Sequence, residues 1–352
     1  MKQILCGLLA AAIATGAAVP ASAQFRLPAL PHASAQRLVM DAASKRMAQY
    51  MAAQEPVALD WGAVYPTSLQ LPGAPFHADA VRNRVALSSI VNQLAKSSDG
   101  VVRLAPGDYD IPVRVYCSRV HAHMPVKIPE VYEVGPLRGT RRDVLVAMYS
   151  KVTGAHATYR QVQPLEWSIE TGLRYAQLPA MQRKLFDRLI PAYRSSIAGN
   201  FLDQMQDTWN HLGIPGLPPF TSAIDRLGAV GQTYRDLQQA QSQIIGNSND
   251  FDSLFAELTP PLDVSERGAN YQTSPWGQVS PNVYMHTPNT GGTGALFDLQ
   301  VRVTGTQTQN VALISQILYP TYCSGCQPLT YNVETNAPPA SGDDEVEGIP
   351  GL

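Results

Sequence analysis

The amino-acid sequence predicts an α+β fold: a largely α-helical body with a short β insertion, followed by a small antiparallel β module and a disordered acidic tail. Three observations predict it. Apolar residues recur at spacings of three and four over residues 140–212, which is the period of an amphipathic helix. The period changes to two within residues 101–132 and again over 296–303, as in strands. Residues 336–352 are acidic and rich in Pro and Gly, a composition typical of disorder.

The region 140–212 predicts four consecutive helices. Thr140 and Asp143 have the spacing of a capping box, and Gly154 is placed to end the first helix. Pro164 is tolerated only in the first turn of a helix, so the second helix is predicted to begin near Gln163. The other two helices carry apolar residues about one turn apart, at Met181, Leu185, Leu189 and Ile190 and then at Ile197, Phe201, Met205, Trp209 and Leu212.

The same patterns assign the rest of the chain. Further helices are predicted over residues 34–54, 79–96, 222–246 and 250–258, and strands within 101–120, 283–286, 296–303, 311–317 and 329–333. The predicted organisation is a signal peptide (1–23), a mainly helical domain (24–259, with its β segment at 101–132), a small β module (260–335) and a tail (336–352). Pro260-Pro261 marks the predicted boundary between the two domains.

The first 23 residues have the pattern of a secretory signal peptide. Lys2 gives a positive start, Ile4 to Val19 is almost entirely apolar or small, and Ala21-Ser22-Ala23 matches a small-x-small cleavage motif, with cleavage after Ala23. No later segment has the roughly 18–20 apolar residues that cross a bilayer. The sequence therefore predicts a soluble exported protein, periplasmic or secreted, without a transmembrane span in the mature chain. A membrane anchor is the alternative interpretation of the same residues.

Cleavage removes Cys6 and leaves three cysteines, Cys117, Cys323 and Cys326. In an oxidising compartment the expectation is one disulfide and one thiol. Cys323 and Cys326 are predicted to form the disulfide, because Gly325 permits the tight turn between them. A redox role is disfavoured, since no helix is predicted to start at this motif. A disulfide that joins Cys117 to either of the other two cysteines stays open.

Charge is unevenly distributed along the chain. The whole sequence has a formal net charge of −2, but residues 101–200 contain 14 basic and 8 acidic residues, and residues 201–352 contain 4 basic and 15 acidic residues. One interpretation is that the basic helices face the acidic part of the same chain or only water. The other is an anionic partner for the basic half. No nucleic-acid-binding module is recognisable, so no nucleic acid is expected as a partner.

His121 and His123 are the candidate metal ligands. Residues two apart on a strand point to the same face, so both imidazoles could reach one ion. No spacing marks a third ligand, although Glu130 and Glu133 are close in sequence. The alternative is that both are surface histidines beside a Pro-rich loop.

Two further features predict contacts with other molecules. Tyr271, Trp276 and Tyr284 lie in loops rich in Pro, Ser and Asn, where exposed rings could stack on a sugar or meet a protein partner; buried rings would instead cap the β module. The helix predicted at 222–246 has a Gln-rich face at residues 238–243, which could contact a partner subunit.

The motifs of several common enzyme classes are absent from the sequence. It contains no Gly-x-Ser-x-Gly, no phosphate loop, no Gly-x-Gly-x-x-Gly after a strand and no His-Glu-x-x-His, so no cofactor is predicted. These observations favour an exported, non-catalytic binding or structural accessory of the bacterial cell envelope or secreted fraction. Its expected partner is another envelope or extracellular protein, or a glycan. The alternatives are a metal-dependent hydrolase using His121 and His123, and a subunit of an envelope or secretion assembly.

Overall fold

The computed structural model describes residues 32–58, 64–123, 132–260, 274–288, 296–321 and 326–334. The predicted signal peptide, the predicted acidic tail, Tyr271 and Cys323 lie outside these residues. Along the described chain, most of the helices follow a first group of strands and precede a second group.

Eight strands form one antiparallel sheet in the order β1-β5-β6-β7-β3-β10-β9-β4, and β2 and β8 form a separate pair. The strands are β1 (Thr67–Ser68), β2 (Val101–Leu104), β3 (Gly107–Cys117), β4 (Tyr132–Pro136), β5 (Trp276–Ser280), β6 (Val283–His286), β7 (Leu296–Val303), β8 (Gln309–Ala312), β9 (Gln316–Pro320) and β10 (Leu329–Val333). β3 lies at the centre of the sheet, where Tyr109 pairs with Val301 of β7 and Val115 pairs with Tyr331 of β10.

The two ends of the sheet approach each other. Just before β1, the amide of Tyr65 donates to the carbonyl of Val134 in β4, with an N–O distance of 3.1 Å. Gly277 of β5 also lies against β4, because a Cβ added there would be 3.3 Å from Cβ of Val134. The sheet is therefore a nearly closed, barrel-like structure.

The predicted fold class, a largely helical body with a short β insertion and a separate small β module, is wrong. β3 comes from the predicted insertion, yet it pairs with β7 and β10 from the predicted module, and β4 pairs with β9. The predicted boundary at Pro260 thus falls between strands of the same sheet. A period of two identifies a strand and its buried face, but it carries no information about which strand is the partner.

Nine α-helices lie in the described part of the chain: α1 (His32–Gln54), α2 (Ala80–Lys96), α3 (Arg142–Val152), α4 (Tyr159–Glu170), α5 (Ala180–Leu189), α6 (Phe201–Asn210), α7 (Phe220–Ala223), α8 (Ala229–Gly246) and α9 (Phe251–Leu258). Most occupy predicted segments, and Asp79 begins α2 as an N-cap that accepts from the amide of Arg82 at 2.8 Å. None of these helices combines the length and the apolar character that crossing a lipid bilayer requires.

Two helix starts differ from the prediction. Thr140 does not cap α3; its hydroxyl donates to the carbonyl of Gln54, at the end of α1, at 3.2 Å. α4 begins upstream of Gln163, because Thr158 and Gln161 form a capping box in which the Gln161 side chain accepts from the Thr158 amide at 3.2 Å. Pro164 consequently lies inside α4.

The C-terminal end of α4 is held by a buried arginine. Arg141 is 5% exposed, and its guanidinium donates to the carbonyls of Leu173 (2.6 Å), Gly199 (2.7 Å), Gly172 (3.1 Å) and Ile169 (3.3 Å). Carbonyls at the end of a helix lack partners within it, and the helix dipole favours a cation there. Burial lowers the pKa of Arg141 to about 10, so it remains charged at neutral pH.

A second buried arginine joins the sheet to the segment before α2. Arg302 of β7 and Asp108 of β3 are 9% and 10% exposed at their side chains and form two parallel N–O contacts of 2.6 Å. The same guanidinium donates to the carbonyls of Pro72, Ala74 and Pro75 at 2.9, 2.6 and 3.1 Å. This one side chain therefore holds residues 72–75 against the sheet.

The helices form two apolar cores. The larger core lies between the sheet and helices α2, α3, α4, α5, α8 and α9, and it includes Trp167, Tyr149 and Phe255. The smaller core joins α1, α6, α7 and the start of α8 around Met47, Trp209 and other apolar side chains. The large aromatic side chains of these helices are therefore buried, and α8 contributes to both cores.

Candidate functional site

A row of polar side chains runs along the buried face of α4. Gln163, Glu166 and Glu170 are spaced three and four residues apart, which places them on the same side of the helix. All three are buried, and Glu170 is 8% exposed. Buried carboxyl groups are costly unless they are hydrogen-bonded or protonated, so this row is chemically unusual.

Glu166 is fully hydrogen-bonded. Its Oε1 accepts from the hydroxyl of Ser118 at 2.9 Å and from the hydroxyl of Thr330, and its Oε2 accepts from the side-chain amide of Gln163 at 3.2 Å. The hydroxyl of Tyr149 lies 2.6 Å from that of Thr330 and extends the network. Burial raises the pKa of Glu166, and these hydrogen bonds, which favour the charged form, partly offset the effect.

The carboxyl group of Glu170 lacks hydrogen bonds of this kind within the described residues. Neither of its carboxyl oxygens, both buried, has a hydrogen-bond partner among the described residues. Burial, followed by the neighbouring charge of Glu166, raises the pKa of Glu170 well above its ordinary value, although the nearby hydroxyl of Ser118, which donates to Glu166, acts to lower it. This shift favours the neutral carboxylic acid, which can donate a hydrogen bond or a proton.

Glu170 lies at the wall of a cavity of about 560 Å³. The cavity forms where the end of α1, the turn after β3, the end of α4 and one side of α8 converge; its lining includes Glu55, Ser118, Arg119, His121, His123, Thr233 and Asp236. A volume of this size is typical of small-molecule sites. Among the described residues that line the cavity, Glu55, Glu170 and Asp236 carry carboxyl groups and Arg119 carries a guanidinium. Acidic side chains therefore outnumber this basic one.

Glu55 adds a second carboxyl group with a perturbed pKa. It follows α1 and is partly buried at the cavity. Burial raises its pKa to about 7, against the charge of Arg119, which lowers it. Two acids of one cavity thus have raised pKa values, a property that is enriched at functional sites.

The turn at residues 118–123 is fixed by the buried side chain of Gln327. The Gln327 Oε1 accepts from the amide of Arg119 at 3.1 Å, and its Nε2 donates to the carbonyls of Arg119 and Ala122 at 2.7 and 2.8 Å. The backbone amide of Gln327 donates to the carbonyl of His123 at 3.0 Å. Gln327 therefore positions the part of the cavity wall that follows β3.

No protein-family model, curated protein or solved structure matches this chain. The distinctive chemistry of the cavity is the pair of carboxyl groups with raised pKa values, in reach of histidine, arginine and hydroxyl side chains.

The structure places both candidate metal ligands, His121 and His123, at this cavity. They do not share a strand: His121 lies in a turn with a φ of 63° in the left-handed region, and His123 forms an isolated β-bridge with Cys326. The Nε2 of His121 is 3.2 Å from Oε1 of Gln243, an acceptor. Within the described residues, no group of three or more His, Cys, Asp and Glu side chains is arranged to hold a metal ion.

The cysteines occupy different environments. Cys117 is a thiol at the end of β3, buried among the α4 side chains, and burial raises its pKa. The open alternative of a disulfide to Cys117 therefore does not describe this structure. Cys326 is disulfide-bonded. Its predicted pairing with Cys323 stays a prediction, because Cys323 lies outside the described residues.

The predicted contact surfaces are mostly internal. Trp276 is buried and stacks on the ring of His286 with a centroid distance of 4.7 Å, whereas Tyr284 is partly buried. On the Gln-rich face of α8, Gln241 is buried and donates to the carbonyl of Thr171 at 2.6 Å. That glutamine therefore holds the fold, while Gln238 and Gln239 remain exposed.

The sequence prediction missed Glu55, Glu166 and Glu170. A signal was present in α4, since Gln163, Glu166 and Glu170 form one polar stripe between apolar residues on both sides. Such a stripe on a helix that is apolar elsewhere indicates a buried polar network as readily as a solvent face. Glu55 carried no comparable signal, because it meets residues 118–123 at the cavity only in the folded chain.

Glu170→Gln should change how stability depends on pH. In the wild type, the folded state keeps the Glu170 proton that the unfolded chain releases above about pH 4.3. The contribution of Glu170 to stability should therefore be greatest below that pH and should fall as pH rises towards the folded pKa, by up to about 1.4 kcal/mol per pH unit for each such carboxyl group. The introduced carboxamide does not titrate, so the variant should be more stable than wild type at pH 8.

Urea unfolding at several pH values between about 4 and 8 measures this effect. Asp207→Asn is the matched control, because Asp207 is exposed on α6, and it should retain the wild-type slope. Equal slopes for wild type and Glu170→Gln would show that Glu170 is ionised in the folded protein.

Proposed function

We propose that the protein is exported and that it binds a small organic cation in the cavity beside Glu170, without catalysing a reaction on it. The observation that carries the proposal is that Glu170, a residue of the wall of a 560 Å³ cavity, has a buried carboxyl group without a hydrogen-bond partner among the described residues. An ammonium group would supply both the donors and the charge that this carboxyl group lacks.

The other ionisable groups of the cavity support a cation. Glu55 and Asp236 contribute two more carboxyl groups to the same space, against the guanidinium of Arg119. Because burial raises the pKa values of Glu170 and Glu55, each keeps more of its protonated form while the cavity is empty than an exposed carboxyl group would. A bound cation would favour ionisation, so binding is expected to release protons. A neutral glycan would release none.

Export is supported by the sequence from Lys2 to Ala23, which has the pattern of a cleaved signal peptide. We therefore place the mature protein in the periplasm or the secreted fraction, as a binding accessory. The metal-dependent alternative still relies on His121 and His123, which share the cavity, but it needs a third ligand. A role as a subunit of an envelope assembly would use the exposed Gln238 and Gln239.

Isothermal titration of the purified mature protein with spermidine, and separately with cellobiose, tests the proposal. Each titration is run at pH 7.5 in PIPES and in Tris, because the difference in measured heat gives the number of protons released. We expect spermidine to bind with release of protons and cellobiose not to bind. Glu170→Gln should weaken spermidine binding at least about tenfold, as the loss of a buried charged contact does.

Asp207→Asn is again the control, since it removes an acidic group that lies outside the cavity. It should leave the dissociation constant for spermidine within about twofold. The proposal fails if spermidine does not bind, or if both variants weaken its binding equally. Cellobiose binding without proton release would replace the cation by a neutral glycan.

A further inference from the structure

A second cavity lies on another side of α4. It has a volume of about 510 Å³ and is bounded by the N-terminal half of α4, one face of α5 and the connection from α8 to α9. Its lining includes Arg160 and Pro164 from α4, Lys184, Leu185 and Arg188 from α5, and residues 247–249 from the connection. None of these residues lines the cavity beside Glu170, so the two sites are separate.

The charge of this second cavity is positive. Arg160, Lys184 and Arg188 line it, and no described acidic residue does. Arg160 is already paired with Asp252 at 2.7 Å, outside the lining. Lys184 and Arg188 are exposed, and neither lies within 4.0 Å of a carboxylate among the described residues. Two basic groups on one face of α5 are therefore available to an anion.

The inner wall of the cavity includes Gln182, which has a buried donor without an acceptor among the described residues. Gln182 is 5% exposed, and its Oε1 accepts from the hydroxyl of Ser168 at 2.5 Å. Its buried Nε2 has no hydrogen-bond partner among the described residues. An unsatisfied buried donor costs free energy, and an oxygen of a bound molecule would satisfy it once the Gln182 side chain turned towards the cavity that it lines. This observation is independent of the surface charges and points to a ligand with acceptor groups.

The rest of the wall is apolar. Leu185 and Leu254 are buried, Phe251 is partly buried and Met181 is exposed at the edge. Arg160 also lies over the ring of Phe251, with a distance of 5.1 Å from its Cζ to the ring centroid. A ligand that carried only charge would leave this surface in contact with water, so an apolar group is expected beside the anionic group.

We propose that this cavity is a second binding site, which takes an organic anion with a carboxylate or phosphate group attached to an apolar ring or chain. The anionic group lies between Lys184 and Arg188, in the cavity that Gln182 also lines. The apolar part packs against Leu185 and Leu254. The site is consistent with the excess of basic residues in residues 101–200 and does not depend on the first cavity having a ligand.

Titration of the mature protein with phenyl phosphate tests the site. Inorganic phosphate supplies the charge without the ring, and benzyltrimethylammonium chloride supplies a ring with the opposite charge. We expect phenyl phosphate to bind more tightly than inorganic phosphate, and benzyltrimethylammonium not to bind. Raising the NaCl concentration to about 0.5 M should weaken phenyl phosphate binding, because the two exposed cations are screened.

Lys184→Glu with Arg188→Glu should weaken phenyl phosphate binding at least about tenfold. Arg37→Glu with Lys45→Glu on α1 is the matched control: it makes the same change in net charge at exposed residues of another helix and should leave binding within about twofold. Gln182→Met keeps the size of the side chain but removes the donor, and it should weaken binding about threefold with no loss at the spermidine site.

The melting temperature of each variant, measured without ligand, separates loss of binding from loss of folding. If the α1 control and the α5 variant weakened phenyl phosphate binding equally, the proposal would be overturned, because the net charge of the protein would then explain the whole effect. Binding of inorganic phosphate as tight as that of phenyl phosphate would overturn the apolar part of it. Failure of phenyl phosphate to bind would overturn the site while leaving the spermidine result unaffected.

Discussion

Replacing Arg141 with methionine should lower the free energy of unfolding by about 3–5 kcal/mol. The guanidinium donates to four carbonyl oxygens at the end of α4 and beyond it, and the thioether can donate to none of them. Buried acceptors that lose their donors cost about 1–3 kcal/mol each, an amount that entry of water would reduce. The side chain of methionine fills part of the space, so the loss of hydrogen bonds dominates over the loss of packing.

Urea unfolding followed by circular dichroism at pH 7 measures the change. Arg138→Met is the matched control, because it is the same substitution at an exposed arginine close by in the chain, and its effect should stay within about 0.5 kcal/mol. Arg141→Lys keeps the charge but cannot reach all four carbonyls, so we expect an intermediate loss. Similar stabilities for Arg141→Met and Arg138→Met would show that the end of α4 is held by packing alone.

Asp108→Ala should also destabilise the protein by about 3–5 kcal/mol, because it leaves the charge of Arg302 buried without its partner. Burial by itself would raise the pKa of Asp108, but the hydrogen bonds and charge of Arg302, with the amide of His77, outweigh that effect and lower the pKa overall. The pair therefore stabilises the fold at neutral pH. Its contribution should be lost as pH falls below the ordinary pKa of an aspartate, near about 4.

The comparison is with an exposed ion pair in the same molecule. Asp143→Ala removes the partner of Arg142, where the side chains are 76% and 37% exposed, and this loss should stay within about 0.5 kcal/mol. Both variants are unfolded with urea at pH 7 and at about pH 3, where most carboxyl groups are protonated. The expectation is contradicted if the two variants are equally stable at pH 7, or if the effect of Asp108→Ala is the same at both pH values.

Individual helices were largely predictable from the sequence, because their signals are local. Asp79 and the apolar residues of α2 lie within a few turns of each other, and so do those of α5. The predicted start of α4 at Gln163 is too late, because Pro164 is disfavoured inside a helix, whereas the capping box of Thr158 and Gln161 begins the helix upstream of it. Tertiary burial of nearly every side chain of α4 offsets that penalty.

The sheet and the site could not be predicted in the same way. β3 was recognisable as a strand, but its partners β7 and β10 lie far along the chain, and no local pattern specifies such pairing. His121 and His123 were identified, whereas the carboxyl groups beside them were not. Glu55, Glu170 and Asp236 come from three different helical regions and meet only after the whole chain has packed.

The position of the helices between the two groups of strands has a consequence for how the chain folds. Tyr116 of β3 and Asn332 of β10 form a hydrogen bond across 216 positions in sequence, so β3 emerges long before its neighbour does. Closing so large a loop is slow, while helices α3 to α9 can make local contacts early. The central strand is therefore exposed for most of the time that the chain is being synthesised, and during that time it depends on protection from aggregation.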